Sequence, residues 1–335
     1  VKQKLFFNFG HNQDGSAKRL FLIVISAVFI FAIIGSFHSK SDSASADSPE
    51  VRSGIKGLCL DDRHSDHKPG AEVDDYSCNQ TDAQNWTRSM FELVNGDGMC
   101  LSVAGDATTS GSNVVLDACA NSPGQIWLND NGGLYNPNSK LCLDEPDSSG
   151  GKAVIVNSCG NLSEANVQWS TDSNLNCADL TSRSDKVACY AAQEWNTWQS
   201  GNPSHESLLT TYTDGAPYEE WCADFVSYIY KEAGYPFDNG EAGNGYWDES
   251  NANLIQNQGF TKHSPSDYTP KPGDVAFFDY TGGHVEIVIS GGAHPSFIYG
   301  NSAIIDPSTG NGQMEANTIT KDGSLGNLVY YMSPN

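Results

Sequence analysis

Residues 20–37 read LFLIVISAVFIFAIIGSF, eighteen positions without a charge, and Lys18 and Arg19 stand immediately before them. A basic flank followed by an apolar core predicts an export segment whose N-terminus stays inside. The run is longer than an ordinary signal-peptide core and reaches the lower edge of a membrane span. Ala44-Ser45-Ala46 has the small-x-small form of a cleavage site but lies several residues past the apolar run. A cleaved signal and a retained anchor therefore both stay open over residues 1–46. The Ser- and Asp-rich text around residues 39–50 predicts a polar stretch, with a linker at 47–52.

From there to residue 172 the apolar positions come in short runs that recur. LCLDD (58–62), MCLSV (99–103) and LCLDE (141–145) open three units. EVDDYSC (72–78), NVVLDAC (113–119) and AVIVNSC (153–159) form their middles, and QNW (84–86), QIW (125–127) and VQW (167–169) close them. Trp86, Trp127 and Trp169 are 41 and 42 positions apart. A period of that size means one supersecondary unit repeated, each copy needing its neighbours to bury a shared core. Short apolar runs bounded by Gly, Asn and Asp predict strands and turns.

The pattern then changes. In DKVACYAAQEWNTW (185–198), Val187, Tyr190, Ala191, Trp195 and Trp198 fall at helical spacing, and a polar loop is expected after them. In EEWCADFVSYIYKEAG (219–234), Cys222, Phe225, Val226, Ile229 and Ala233 form one helical stripe. Pro217 suits the start of this helix, Glu219 and Glu220 suit its positive end, and Gly234 ends it. Further on, DVAFFDY (274–280), HVEIVIS (284–290) and SFIYGNSA (296–303) predict strands. Alternation puts Val285, Ile287 and Ile289 on the core face and turns His284 and Glu286 the other way.

Nine cysteines in an exported chain should mostly be paired. Cys59 and Cys78, Cys100 and Cys119, and Cys142 and Cys159 lie 19, 19 and 17 residues apart, which favours neighbour pairing within each repeat. Cys177 and Cys189 make a plausible fourth pair. Cys222 is left over. It is a core residue, half of a disulfide, or a nucleophile, and its first-turn position suits a thiolate because helix amides and dipole favour a negative charge.

The formal net charge is −23, and because residues 1–46 are basic the remainder is more negative still. Such a surface repels phosphate backbones, so nucleic acid is excluded as a partner, and a neutral ligand held by stacking and hydrogen bonds is expected instead. DDRHSDH (61–67) clusters acids and histidines without a fixed metal-ligand spacing and is read as a solvated loop; no metal or cofactor is expected.

The three Cys-Leu openings, second cysteines and Gln-x-Trp closings over about 120 residues resemble the ricin B-type lectin family. The resemblance implies a β-trefoil over 53–172 that binds sugars in shallow pockets, one per repeat. Carried over, Asp61 accepts sugar hydroxyls, Tyr76 offers a ring face, and Asn79 and Gln84 add polar contacts. Repeat two has Ser102 and Asp117 at the Asp and aromatic positions and should be dead. Repeat three keeps Asp144 as a possible sugar residue but has Asn157 in place of the aromatic, and Val167 stands where the closing Gln belongs.

WCADFVSYIYKEAGYPF, PKPGDVAFF, GGHVEIV and GNS, in that order, resemble the CHAP family of cysteine- and histidine-dependent amidohydrolases and peptidases, related to NlpC/P60 and papain. The resemblance implies an α+β papain-like domain over 173–335 that cleaves amide bonds in peptidoglycan. Cys222 would be the nucleophile, His284 the base and Asn301 the residue orienting the imidazole. Many members carry Glu two positions before that Asn; here it is Tyr299, and Glu286 is a second candidate for the role. The expected whole is a multidomain, extracytoplasmic, monomeric peptidoglycan hydrolase, amidase or endopeptidase, secreted or anchored only through its N-terminal segment. The alternative is a surface carbohydrate-binding adhesin with an inactive CHAP domain.

Overall fold

The structure, a computed structural model, describes residues 50–160, 164–171, 176–215, 221–238, 255–279, 283–300, 313–321 and 327–335. The expected export segment lies outside the described residues. Among those described, no helix is long and apolar enough to cross a membrane.

The repeats fold as strands in threefold arrangement. Repeat one gives β1 (Val51–Ser53), β2 (Leu58–Asp62), β3 (Val73–Ser77) and β4 (Trp86–Ser89). Repeat two gives β5 (Glu92–Asn95), β6 (Met99–Val103), β7 (Ser112–Ala118) and β8 (Leu128–Asp130). Repeat three gives β9 (Gly133–Asn136), β10 (Leu141–Asp144), β11 (Ile155–Asn157) and β12 (Trp169–Thr171). One sheet runs β12-β1-β2-β3 and the other β4-β5-β6-β7-β11-β10-β9-β8. The expected linker 47–52 reaches into this fold. Val51 is buried and pairs with Thr171, because a closed trefoil needs its first strand to meet its last.

Equivalent residues fill one core: Leu60, Leu101 and Leu143 pack with Trp86, Trp127 and Trp169 and with Val73, Val114 and Val154. A buried indole N–H needs an acceptor. Each of the three donates to the carbonyl of its own repeat's leucine, at 3.0 Å every time. Disulfides Cys59–Cys78, Cys100–Cys119 and Cys142–Cys159 close the repeats, and Cys177–Cys189 ties the following segment to the first helix.

The C-terminal half places helices before a sheet. α1 (Arg183–Ser200) is capped by the Ser182 hydroxyl, which accepts from Asp185 N–H at 3.3 Å. The expected polar loop contains α2 (His205–Tyr212), whose Leu208, Leu209 and Tyr212 are buried. Three apolar residues in two turns are enough to dock a short helix but too few for a periodic signal. α3 (Cys222–Glu232) buries Cys222, Phe225, Val226 and Ile229 as its stripe predicts. It ends where Gly234 takes φ +87°, a conformation that costs a side-chain-bearing residue energy. The sheet comprises β13 (Phe260–His263), β14 (Val275–Phe278), β15 (His284–Ser290), β16 (Ser296–Gly300), β17 (Met314–Thr318) and β18 (Leu328–Pro334). Its order is β13-β18-β14-β15-β16-β17 with every pairing antiparallel. β13, β17 and β18 go beyond the expected strands, and His263 ends β13.

α1 and α3 lie against β15, whose Val285, Ile287 and Ile289 enter the main core. The opposite face is buried too, under a smaller cluster of Ala276, Phe278, Val288, Phe297 and Tyr331. The main core also takes in Phe91, Ile126 and Leu128 from the trefoil, and Tyr135 of β9 stacks on Trp195 of α1 at 5.4 Å between ring centroids. The two halves thus share apolar side chains.

Candidate active site and sugar pocket

Cys222 is the first residue of α3, with Trp221 as its N-cap. Pro217, Glu219 and Glu220 lie outside the described residues. The Trp221 indole stacks on Trp198 at 5.2 Å and on Tyr212 at 5.8 Å. It also closes on the backbone of β16, where a Cβ on Gly300 would overlap its ring. The glycine of the GNS phrase thus lets Trp221, the neighbour of Cys222, reach the third expected strand. Asn301, the next residue, lies outside the described residues.

His284 opens β15 with Glu286 two positions on, so both side chains emerge on the same face. Both are buried, and His284 Nε2 lies 3.5 Å from Glu286 Oε1. The imidazole also interacts with the Cys222 side chain. Burial pulls the His284 imidazole down, but the hydrogen bonds from Cys222 and Glu286 and their charges outweigh it and push it up to about 10. Burial pushes Glu286 up, opposed by the hydrogen bond and charge of His284. The Tyr299 ring stands edge-on to the imidazole at 5.1 Å, and its hydroxyl donates to Glu315 at 2.8 Å. The arrangement is a cysteine and a histidine in contact with a buried carboxylate behind the histidine. His263 stacks on Tyr268 at 3.8 Å and bonds Ser333, and His294 is exposed; neither adjoins Cys222 in this arrangement.

In repeat one, Asp61, Tyr76 and Asn79 line a cavity of about 550 Å³ together with Arg63, His64 and Asp74. Tyr76 is 52% exposed, as a platform for a ligand ring must be. Asn79 is fixed by Thr81, whose N–H and hydroxyl donate to its Oδ1 at 3.0 and 2.7 Å. Gln84 is fully buried beneath the cavity wall. Its amide nitrogen donates to Asp61 Oδ2 at 2.8 Å and to Ser77 O at 3.0 Å, while its oxygen accepts from Asn79 N–H at 2.8 Å. Gln84 therefore positions the wall rather than lining it. Burial pushes Asp61 up, against the Gln84 hydrogen bond. Asp74, absent from the expected set, is pushed up to about 7 by burial and by the Asp61 charge, against the pull of Arg63.

Repeat two retains a smaller cavity of about 240 Å³ with Ser102 and Asp117 on its wall and no aromatic residue. In repeat three both Asp144 oxygens are already taken, by Asn166 at 2.6 Å and Asn157 at 2.9 Å. Asn157, standing where an aromatic would offer a ring face, instead caps the carboxylate. The 61–67 segment is not wholly a solvated loop. Asp62 is fully buried, and His67 Nδ1 lies 3.0 Å from its Oδ2 and also contacts Asp97. Asp62, His67 and Asp97 bring ligand-type atoms within 4.8 Å of one another; as they stand, the imidazole lies between the two carboxylates.

Fold and site define a two-part chain: a disulfide-closed trefoil with a polar–aromatic cavity, and an α+β half with a buried cysteine–histidine pair. Residues 48–169 match the ricin-type β-trefoil lectin domain and residues 211–301 match the CHAP domain, so the chain carries both. Abrin-a of Abrus precatorius is 29% identical over 197 residues, covering 55% of this chain and 36% of that protein. Beta-galactoside-specific lectin 2 of Viscum album is 24% identical over 193 residues, 54% of this chain and 34% of that protein. The chain thus spans about a third of the length of these relatives. Among solved structures, the agglutinin from Abrus precatorius aligns at 29% identity with a TM-score of 0.33, covering 38% of this chain and 49% of that one.

Proposed function

We propose that the protein is an exported peptidoglycan hydrolase that cleaves an amide bond through Cys222 and is held to its substrate by the repeat-one sugar pocket. The observation that carries this reading is that the His284 imidazole interacts both with Cys222 and with the buried carboxylate of Glu286. His284 accepts the thiol proton, and the Cys222 thiolate attacks the amide carbonyl carbon. The oxyanion faces first-turn amides of α3, which no intrahelical carbonyl reaches. The imidazolium then protonates the leaving amine, and water, activated by the neutral imidazole, hydrolyses the thioester. Cys222 is buried, so productive binding has to open a path to Sγ.

Glu286 supports the pair by favouring the imidazolium, and Asn301 remains a proposed orienting residue. Asp61, Tyr76 and Asn79 form the proposed sugar contacts, braced by Gln84. Asp144, with both oxygens occupied, is the weaker candidate. Four disulfides accord with an oxidising exterior. The test is clearing of a suspension of purified cell walls by the wild type and by Cys222→Ala. Loss of clearing in the variant with its fold retained is expected. Equal clearing by both proteins would sink the hydrolase reading and leave a glycan-binding surface protein.

A further inference from the structure

Resting on the reading of repeat one as a sugar pocket, we propose that its ligand carries a free ammonium group. The class is a de-N-acetylated hexosamine whose charge is met by Asp74 together with Asp61. The two carboxylates are direct cross-strand partners in the β2–β3 ladder, Asp61 opposite Asp74. Like charges in that position repel and weaken the pair of strands. Both line the cavity. Tyr76, two residues after Asp74 on β3, emerges on the same face, so ring and carboxylates meet one ligand.

The chain supplies too little positive charge to neutralise them. Arg63 Nε lies 3.5 Å from Asp74 Oδ2, but its Nη1 is given to Glu72 at 2.5 Å. His64 is the other basic group on the wall, and Asp75 and Glu72 add further negative charge around Asp74. Asp74 is 5% exposed, and its Oδ1 is buried without a hydrogen-bond partner. A buried acceptor left unmet is costly unless a ligand meets it.

An ammonium group provides three donors and a full charge, and it can also rest against the Tyr76 ring face. An acetamido group offers one neutral N–H and brings a carbonyl oxygen towards two carboxylates. The overall charge of −23 draws cationic ligands towards the molecule in the same sense. Burial and the Asp61 charge push Asp74 up to about 7, and a bound ammonium pulls it back down.

Titration calorimetry of the full chain near pH 7, with the trimer of glucosamine and the trimer of N-acetylglucosamine as probes, tests this. The amine trimer is expected to bind at least about tenfold more tightly, as one charge-assisted hydrogen bond provides. Asp74→Asn should erase the preference; if that variant does not fold, the wild-type comparison alone decides. Equal binding of both trimers overturns the inference and leaves the sugar pocket standing. Heat from calcium chloride but not from the amine trimer overturns it in favour of a cation site. Binding of neither trimer removes the pocket reading itself.

Discussion

His284 illustrates how far single residues can be understood from their neighbours. Its imidazole is pulled down by burial and up by Cys222 and Glu286, and the upward pull wins, to about 10. A raised histidine holds its proton below that value and loses it above, so the imidazolium is lost as pH climbs through His284's own titration. Glu286 contributes part of the upward pull. In Glu286→Gln the alkaline limb of the pH–kcat/KM profile should therefore move down, by about one to three pH units. An unmoved limb would mean that Glu286 is only a packing residue. The sequence placed Glu286 on the histidine's own face by alternation. It did not say that this face is buried, which is what gives the carboxylate its leverage.

At the scale of elements, the trefoil repeats show what the closing Gln-x-Trp accomplishes. Gln125 Oε1 accepts from Ala120 N–H at 2.9 Å and its Nε2 donates to Ala118 O at 2.8 Å, matching the bonds of Gln84 in repeat one. Repeat three has Val167 in that place, buried and unable to form either bond, while Gln168 reaches out to Asn131 O at 3.2 Å. Gln125→Leu removes the side-chain partner of the Ala120 N–H and the Ala118 carbonyl, both on exposed residues that water can reach, and should lower stability by about 1 kcal/mol, read from denaturant unfolding. A loss within a few tenths of that of a surface substitution would show the brace to be dispensable. α2 marks the opposite case: Leu208 and Leu209 join the main core and Tyr212 packs on Trp221 and Phe225, contacts that only folding creates.

At the scale of the molecule, the trefoil and the α+β half share a core rather than hang on a tether. Leu128 is fully buried and joins Phe91 and Ile126 in the cluster that contains Trp195. Shared burial couples unfolding, so calorimetry of the wild type should show one main transition. Leu128→Arg places a charge in that junction and should split the transition into two. Two transitions already present in the wild type would show that the junction does not couple the halves. A shared core also limits the reach between the repeat-one cavity and Cys222, unlike a flexible linker.

Periodicity, repeated text and cysteine spacing were local properties: they marked three repeated units of short strands, favoured the neighbouring cysteine pairs and marked the helix that carries Cys222, while the trefoil itself was implied by the family resemblance. Local sequence carries these because strand pairing within a repeat, loop closure and helix spacing depend on residues close in the chain. Tertiary structure decided the rest: that Gln84 works beneath the pocket, that Asn157 and Asn166 consume Asp144, and that Asp74 faces Asp61. It also decided that the two halves meet at Leu128 and Trp195. Each depends on which side chains meet across strands or between domains. Burial then sets the cost of leaving a charge or hydrogen bond unmet, and composition alone cannot assign it to a residue.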